Sequence, residues 1–339
     1  MDLALSADQV EIAETFSDLF AKESTTERTR LAEEAGFDLA LWKTVAGVGL
    51  LGIAVPEDRG GSGQGFLEFG LVAEAAGRQL ACIPLVESAV ALHELAGAAE
   101  VAHLLERALT GSPIVVVAPR PAEDGVARMV PGGAVADAVL ALDDDELVLV
   151  ESAPGVAINE LGFVAAADRP VRGDEAVRHV LASGSQASAR WSSVLGRWRL
   201  GAASAAAGLA HQALESAAGY AKHRRQFGVP IGSFQAISHS LAEVAMAADG
   251  ALLLAREAAW RHDMGLDSWR LQAATAYAFA TETAVTAAAA CLHVHGGYGF
   301  TLEYNAQLYL RRAKAMMLLG GDPEQVWEEV GIATVGGGF

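Results

Sequence analysis

Hydrophobic residues in the first part of the chain recur every three or four positions, which is the spacing of one face of an α-helix. Ser6 and Gln9 form an S-x-x-Q capping box at the start of one such helix. An apolar face follows it: Ile12, Phe16, Leu19 and Phe20. Asp38 is placed to cap a further helix. We therefore predict a helical N-terminal domain over residues 1–111.

The pattern changes at Pro113 to short runs rich in β-branched residues. The run IVVVA predicts a strand, and the runs AVLAL and LVLVE on either side of DDDE predict a hairpin. The acidic residues 143–146 carry the oxygens that cations bind, but no partners at ligand spacing follow them. We interpret them as a solvated turn, and we predict a small β domain over residues 112–185.

Long helical patterns return in the last part of the chain. Two alanine-rich seams step by three and four residues, which favours helices packed against other helices. The first seam contains Phe234, Ile237, Leu241, Val244, Ala248, Ala251 and Ala255, and the second contains Leu271, Ala274, Ala278, Thr281, Val285, Ala288 and Leu292. With helical segments at 200–224 and 308–319, they predict a C-terminal four-helix bundle over residues 186–339 and a mainly α fold.

Charge and composition exclude several classes of function. The formal net charge of −18 repels nucleic acid and anionic membranes. The chain has only two cysteines, Cys82 and Cys291, which fits a reducing cytoplasm. The uncharged stretch 283–302 is long enough to cross a membrane, but its two histidines and three glycines favour a buried helix that ends in a glycine loop. We expect a cytoplasmic protein without nucleic-acid or membrane partners.

Two segments interrupt the helical pattern of the bundle. RRQFG, at 224–228, ends one helix, and Ser233 is placed to cap the next. HVHGGYG, at 293–299, follows another helix, and its glycines would admit a ligand close to the backbone because they lack a Cβ. Each segment alone is typical of an ordinary helix end. His293 and His295 diverge on a helix and have no evident third ligand, which argues against a metal site.

Together these segments resemble the acyl-CoA dehydrogenase family. The resemblance extends to LSADQVEIAETF and GLLGIAVPEDRGGSGQGFLEFGLVAEAAGRQL in the first third of the chain. In the last third it covers RLGAASAAAGLAHQALESAAGYAKHRRQFG and HVHGGYGFTLEYNAQLYLRRAKAM, and in the middle it fades. It implies a helical N-domain, a β-barrel-like middle domain and a C-terminal four-helix bundle, which is the architecture that the residue pattern predicts.

The resemblance also implies a share in an FAD site. In the family, an R-x-x-F-G motif, a glutamine eleven residues past its arginine and a Q-x-x-G-G motif bind the adenine and diphosphate half of FAD, whose ring lies in the neighbouring subunit. The matching residues here are Arg224, Phe227, Gln235, His293, Gly296 and Gly297. Arg224 would donate charged hydrogen bonds to the diphosphate, Phe227 would stack on adenine, and His293 replaces the family's glutamine.

Two family features are missing from the sequence. The flavin ring is held in the family by T-E-P-x-x-G-S and W-x-T/S-N segments, yet this chain has no T-E-P and no tryptophan between Lys43 and Arg190. Dehydrogenation also needs a carboxylate that removes the α-proton while the β-hydrogen leaves as hydride. Gly320 stands at the usual position of this glutamate, and Trp198, before Arg199, stands at the alternative one. The resemblance therefore implies no catalytic residue in this chain.

These departures imply a non-catalytic subunit of a heteromeric acyl-CoA dehydrogenase. It would resemble the short subunit of α2β2 actinobacterial enzymes that oxidise steroid side-chain CoA esters. A homologous catalytic subunit would contribute the flavin-ring site and the glutamate, and it would bind most of the acyl-CoA. Two alternatives remain: a self-sufficient dehydrogenase with Asp322 or Glu324 as the base, and a flavin-free helical scaffold.

Overall fold

The structure is a computed structural model that describes residues 4–173 and 176–336. Its first third consists of α1 (Ala7–Glu23), α2 (Thr26–Ala32), α3 (Leu39–Gly47), α4 (Phe66–Arg78), α5 (Leu85–Leu95) and α6 (Ala102–Ala108). The capping box is confirmed, because Ser6 accepts from the Gln9 amide while the Gln9 side chain accepts from the Ser6 amide. Asp38 caps α3 by accepting from the amide of Leu41 at 2.9 Å.

A small β region follows, with β1 (Val115–Val117), β2 (Val126–Val130), β3 (Ala138–Asp143), β4 (Glu146–Glu151), β5 (Ala167–Pro170) and β6 (Val177–Ser183). Four strands form one sheet in the order β1-β3-β4-β6, in which only β1 and β3 pair in parallel. β2 and β5 form a separate antiparallel pair. The predicted hairpin is confirmed, because β3 pairs with β4 from Ala138↔Glu151 to Asp143↔Glu146.

The acidic turn of this hairpin is only partly solvated, so its interpretation was wrong for Asp143. The Asp143 carboxylate is 1% exposed and accepts from the Arg172 guanidinium at 2.7 Å and from Arg178 at 3.1 Å. Asp144, by contrast, is exposed and has a positive φ of 51° at the turn. The two arginines come from the β5–β6 part of the chain, so a long-range contact satisfies the buried charge.

The last part of the chain is helical, as predicted. It contains α7 (Gly184–His223), a short hairpin of β7 (Arg225–Gln226) and β8 (Val229–Pro230), then α8 (Gln235–Asp263), α9 (Trp269–His295), α10 (Ala306–Leu319) and α11 (Pro323–Gly336). α7 begins well before residue 200, and α11 was not predicted. Ser233 does not cap α8: its hydroxyl donates to the Pro230 carbonyl at 2.7 Å, and the N-cap is Phe234.

Small residues let the bundle pack onto the N-terminal helices at backbone distance. A Cβ at Gly77 of α4 would lie 2.0 Å from the Ala205 carbonyl oxygen of α7. A Cβ at Gly208 of α7 would lie 2.1 Å from the Glu74 carbonyl oxygen of α4. Such a crossing tolerates only glycine at these two positions, because any side chain would force the helices apart. The alanine- and glycine-rich composition thus follows from the closeness of the helices.

Two stretches are long and apolar enough to be considered as membrane spans: residues 283–302, which the sequence indicated, and helix α8. The stretch 283–302 is largely the buried end of α9, followed by a 3-10 turn at Gly296–Phe300, as expected. By length and composition alone, α8 is also apolar enough to cross a membrane. Within the described chain, α8 packs against α7 and α9, and its seam residues Val244, Ala248 and Ala251 are buried.

Candidate functional site

The RRQFG segment forms an exposed turn between α7 and α8. The amide of Arg224 donates to the Tyr220 carbonyl at 2.8 Å, and the β7–β8 hairpin then turns at Phe227 and Gly228. Phe227 has a positive φ of 53°, a conformation that is unfavourable for a bulky residue. Its ring is 93% exposed and contacts Phe234 edge-on at 6.2 Å. The turn therefore presents an aromatic face on which a planar ligand can stack.

Arg224 joins the two motifs that the sequence singled out. Its guanidinium carbon lies 5.6 Å from the centroid of the Tyr298 ring, which belongs to the glycine turn after α9. Within the part of the chain that the structure describes, the Arg224 side chain forms no ion pair and no hydrogen bond. An exposed, unpaired arginine on a chain of net charge −18 is suited to bind an anion such as diphosphate.

The glycines of the second motif have different structural roles. Gly296 has a positive φ of 60°, and a Cβ at Gly296 or Gly297 would meet no atom of the chain within 4 Å. Gly299 is buried, and a Cβ there would lie 2.9 Å from the Leu292 carbonyl oxygen. Gly299 is therefore required by the fold of the turn itself. Gly296 and Gly297 face open space, where a ligand could approach the backbone.

In the described structure, the Gln235 and His293 side chains form no hydrogen bond with Arg224. Gln235 is the first residue of α8, next to Phe234, and its side chain is exposed. Among the described residues no side chain caps α8, so the backbone amides of its first two residues remain available as hydrogen-bond donors. His293 is exposed in the last turn of α9. The structure thus brings Arg224 and the glycine turn together.

Gly320 and Trp198, the two residues at which the resemblance implies the family's glutamate, lie against each other. A Cβ at Gly320 would lie 2.5 Å from the Tyr277 hydroxyl and 2.8 Å from Cζ3 of Trp198. The Trp198 and Tyr277 rings are 5.3 Å apart, and both side chains are buried. The Tyr277 hydroxyl donates to the Met316 carbonyl at 2.8 Å and accepts from the Gly320 amide at 3.1 Å. Burial raises the pKa of Tyr277, so its hydroxyl stays neutral.

A carboxyl group that the sequence reasoning missed lies beside this pair. Glu87 accepts a hydrogen bond from the Trp198 indole N–H at 3.0 Å. Burial raises the pKa of Glu87 above its ordinary 4.5, although this hydrogen bond opposes the shift. Glu87 and Trp198 line a cavity of about 90 Å³ between α4, α5, α7 and α10, together with Phe163 and Arg312. No local motif marks Glu87, because its partner comes from a distant helix.

Asp322 and Glu324, the alternative bases, are both exposed. Asp322 accepts from the amide of Glu324 at 3.0 Å, and its carbonyl accepts from the amides of Gln325 and Val326. This is the geometry of a residue that caps the start of α11. Asp322 also lines an open groove of about 770 Å³ beside α10. One oxygen of the Asp322 carboxylate therefore has a structural role at the start of α11.

Family comparisons agree with this arrangement of helices, sheet and bundle. The profile of the acyl-CoA dehydrogenase N-terminal domain matches residues 6–111, and that of the acyl-CoA dehydrogenase C-terminal domain matches residues 189–332. The chain therefore belongs to the acyl-CoA dehydrogenase family, whose members are flavin-binding oxidoreductases.

Individual relatives cover the chain to different extents. Acyl-CoA dehydrogenase FadE34 of Mycobacterium tuberculosis is 33% identical over 83% of this chain, which spans only 40% of that relative. Benzylmalonyl-CoA dehydrogenase of Aromatoleum aromaticum is 30% identical over 96% of the chain and 97% of its own length. Among solved structures, the ChsE4-ChsE5 complex from Mycobacterium tuberculosis superimposes with a TM-score of 0.88 at 27% identity, over 99% of both chains.

Proposed function

We propose that this chain is a non-catalytic subunit of an FAD-dependent acyl-CoA dehydrogenase, and that it lends the adenine and diphosphate side of the flavin site to a homologous catalytic subunit. One contrast carries the proposal. At one end of the bundle, an unpaired Arg224 lies on the face of Tyr298 beside open glycines. At the family's base positions, the Trp198 ring fills the space beside Gly320, and neither residue provides a proton acceptor.

The residues at the exposed turn fit the adenine and diphosphate half of FAD. Arg224 would donate to the diphosphate, Phe227 would stack on adenine, and Gly296 and Gly297 would let the cofactor approach the backbone. Gln235 and His293 would add polar contacts. The chemistry that FAD supplies is acceptance of hydride from the β-carbon of the acyl thioester.

The remaining parts of the active site would come from the partner. This chain lacks the T-E-P and tryptophan segments that cradle the flavin ring in the family. We propose domains at residues 1–111, 112–185 and 186–339, in which the reduced middle domain holds no ring, and a cytoplasmic location. The catalytic subunit would bind the ring and most of the acyl-CoA and would supply the glutamate that removes the α-proton.

Two solved structures support a mixed assembly and a substrate class. One is the complex of two different chains, ChsE4 and ChsE5. The other is a variant of the Tcur3481-Tcur3483 steroid ACAD, with a TM-score of 0.86 and 27% identity over 97% of this chain. Their similarity to this chain favours an α2β2 heterotetramer that acts on a steroid side-chain CoA ester.

Mutation of Asp322 and Glu324, the alternative catalytic bases in this chain, tests whether the catalytic base belongs to the partner subunit. In the assembled complex, Asp322→Asn and Glu324→Gln should change kcat by less than about threefold, because the loss of a general base costs on the order of 10²–10⁴ in rate. Replacing the catalytic glutamate of the partner subunit by glutamine should abolish turnover and leave FAD bound. An essential Asp322 or Glu324 would instead establish a self-sufficient dehydrogenase. A colourless assembled complex would favour the flavin-free scaffold.

A further inference from the structure

Four aromatic rings connect the end of α7 with the segment between α9 and α10. Tyr220 stacks on His295 at 4.2 Å with an interplanar angle of 30°. Tyr304 contacts both of these rings edge-on, at 6.1 Å and 5.7 Å, and lies 5.7 Å from Tyr298. We call Tyr220, His295, Tyr298 and Tyr304 the aromatic junction. Because α7 contributes Tyr220 and the other three rings follow or end α9, the junction fixes the two motifs relative to each other.

The surroundings of the aromatic junction hold its rings in place. A ring nitrogen of His295 lies 2.8 Å from the Cys291 carbonyl oxygen, and this imidazole is buried. Arg30 donates to the Tyr304 carbonyl at 3.1 Å and so ties the junction to α2. Gly299 lets the turn fold back onto α9, since a Cβ there would lie 2.9 Å from the Leu292 carbonyl oxygen. Tyr298 is thus anchored on one side while its ring remains half exposed on the other.

Arg224 is the group that meets the exposed side of this ring. Its guanidinium lies over Tyr298 at 5.6 Å, within the range of a cation–π interaction. Tyr220, one helical turn before Arg224, is itself part of the junction, so the backbone and the guanidinium of Arg224 are fixed by the same cluster. An arginine without an ion pair would otherwise sample many rotamers and would lose that freedom on binding an anion.

We propose that Tyr298 is a positioning residue, which holds the guanidinium of Arg224 in the orientation that meets the FAD diphosphate. This inference rests on the proposed function of Arg224. The ring face carries the interaction, and the phenol hydroxyl is dispensable. Tyr298 therefore acts on cofactor affinity through Arg224, without needing to contact FAD itself.

A double-mutant cycle on the assembled complex tests this role. After removal of the bound flavin, FAD is titrated back and its Kd is measured by flavin fluorescence. Tyr298→Leu should raise the Kd by about two- to fivefold, which corresponds to an exposed cation–π interaction. Tyr298→Phe keeps the ring face and should leave the Kd within about twofold of the wild-type value. In an Arg224→Ala background, Tyr298→Leu should have no further effect.

Other results of the double-mutant cycle distinguish failure of the positioning role from failure of the proposed function. If Tyr298→Leu leaves the Kd unchanged while Arg224→Ala raises it, the positioning role is wrong and the proposed function stands. If Tyr298→Leu raises the Kd equally with and without Arg224, the ring acts independently of the arginine and the inference is again wrong. If Arg224→Ala itself leaves the Kd unchanged, the proposed role of Arg224 fails and the positioning role fails with it. Thermal midpoints of the variants in the flavin-free complex should match that of the flavin-free wild type, because weaker FAD binding would itself lower the midpoint of the loaded complex.

Discussion

The ring of Trp198 lies where a side chain on Gly320 would extend. A Cβ at Gly320 would lie 2.8 Å from Cζ3 of the indole, closer than real Cβ contacts. Trp198 cannot withdraw freely, because its indole N–H is bonded to Glu87 and its ring packs on Tyr277. Any side chain at residue 320 would therefore require both the Trp198 indole and the Tyr277 hydroxyl, 2.5 Å from that Cβ, to move.

Gly320→Ala tests this packing directly. The added methyl group should destabilise the chain by about 1–3 kcal/mol, the usual cost of overpacking a closed site, as measured by urea unfolding of the complex. The cost should be smaller in a Trp198→Ala background, where one of the two clashing groups is gone. Gly331→Ala in α11 is the matched control, because a Cβ there meets no atom within 4 Å. Equal costs in the two backgrounds would show that Trp198 does not limit residue 320.

Glu87→Gln should stabilise the protein increasingly as the pH rises. The pKa of Glu87 is raised by burial, so above pH 4.5 the unfolded chain loses a proton that the folded chain keeps, and wild-type stability falls. Glutamine cannot ionise, yet its carbonyl oxygen can still accept from the Trp198 indole. The difference in unfolding free energy between Glu87→Gln and wild type should therefore grow as the pH rises above 4.5.

The exposed Glu328→Gln in α11 serves as the control for that experiment, because it removes one carboxyl group from the surface of a helix. A difference for Glu87→Gln that stays constant as the pH rises would show that folding does not raise the pKa of Glu87. Turnover of the assembled complex is a second readout. It should be unaffected by Glu87→Gln, because the proposed base belongs to the partner.

Arg224→Ala should lower FAD occupancy of the assembled complex. Removing a charged hydrogen bond to the diphosphate costs about 1.5–3 kcal/mol, which raises the Kd by about 10- to 150-fold. Flavin absorbance per protein reports the occupancy. Arg225→Ala is the matched control, since the neighbouring guanidinium donates to the Gly228 carbonyl at 3.3 Å within the turn. Unchanged occupancy in Arg224→Ala would remove this residue from the flavin site.

Local sequence rules predicted the elements whose contacts are local. The Ser6–Gln9 capping box and the β3–β4 hairpin depend on neighbouring residues, and both were confirmed. The burial of Asp143 depends on Arg172 and Arg178, which lie about 30 residues further along the chain, so local pattern could not reveal it.

The same distinction applies to the candidate site. RRQFG and HGGYG were visible as motifs, but their meeting at Arg224 and Tyr298 depends on how α7 and α9 pack. Glu87 lies 111 residues before Trp198, and nothing around it in the sequence resembles an acid site. Glu87 became visible as part of the candidate site only in the structure, where it lines the cavity between α4, α5, α7 and α10.

The flavin content of the chain alone and of its assembly with a homologous partner tests the central claim most directly. Native mass spectrometry of the co-expressed, yellow complex should show equal numbers of the two chains and one FAD for each unlike pair. The chain expressed alone should be flavin-free and unstable or aggregated, because the bundle face around Met246 and Leu253 stays exposed. A stable homotetramer of this chain with one FAD in every subunit would contradict the account.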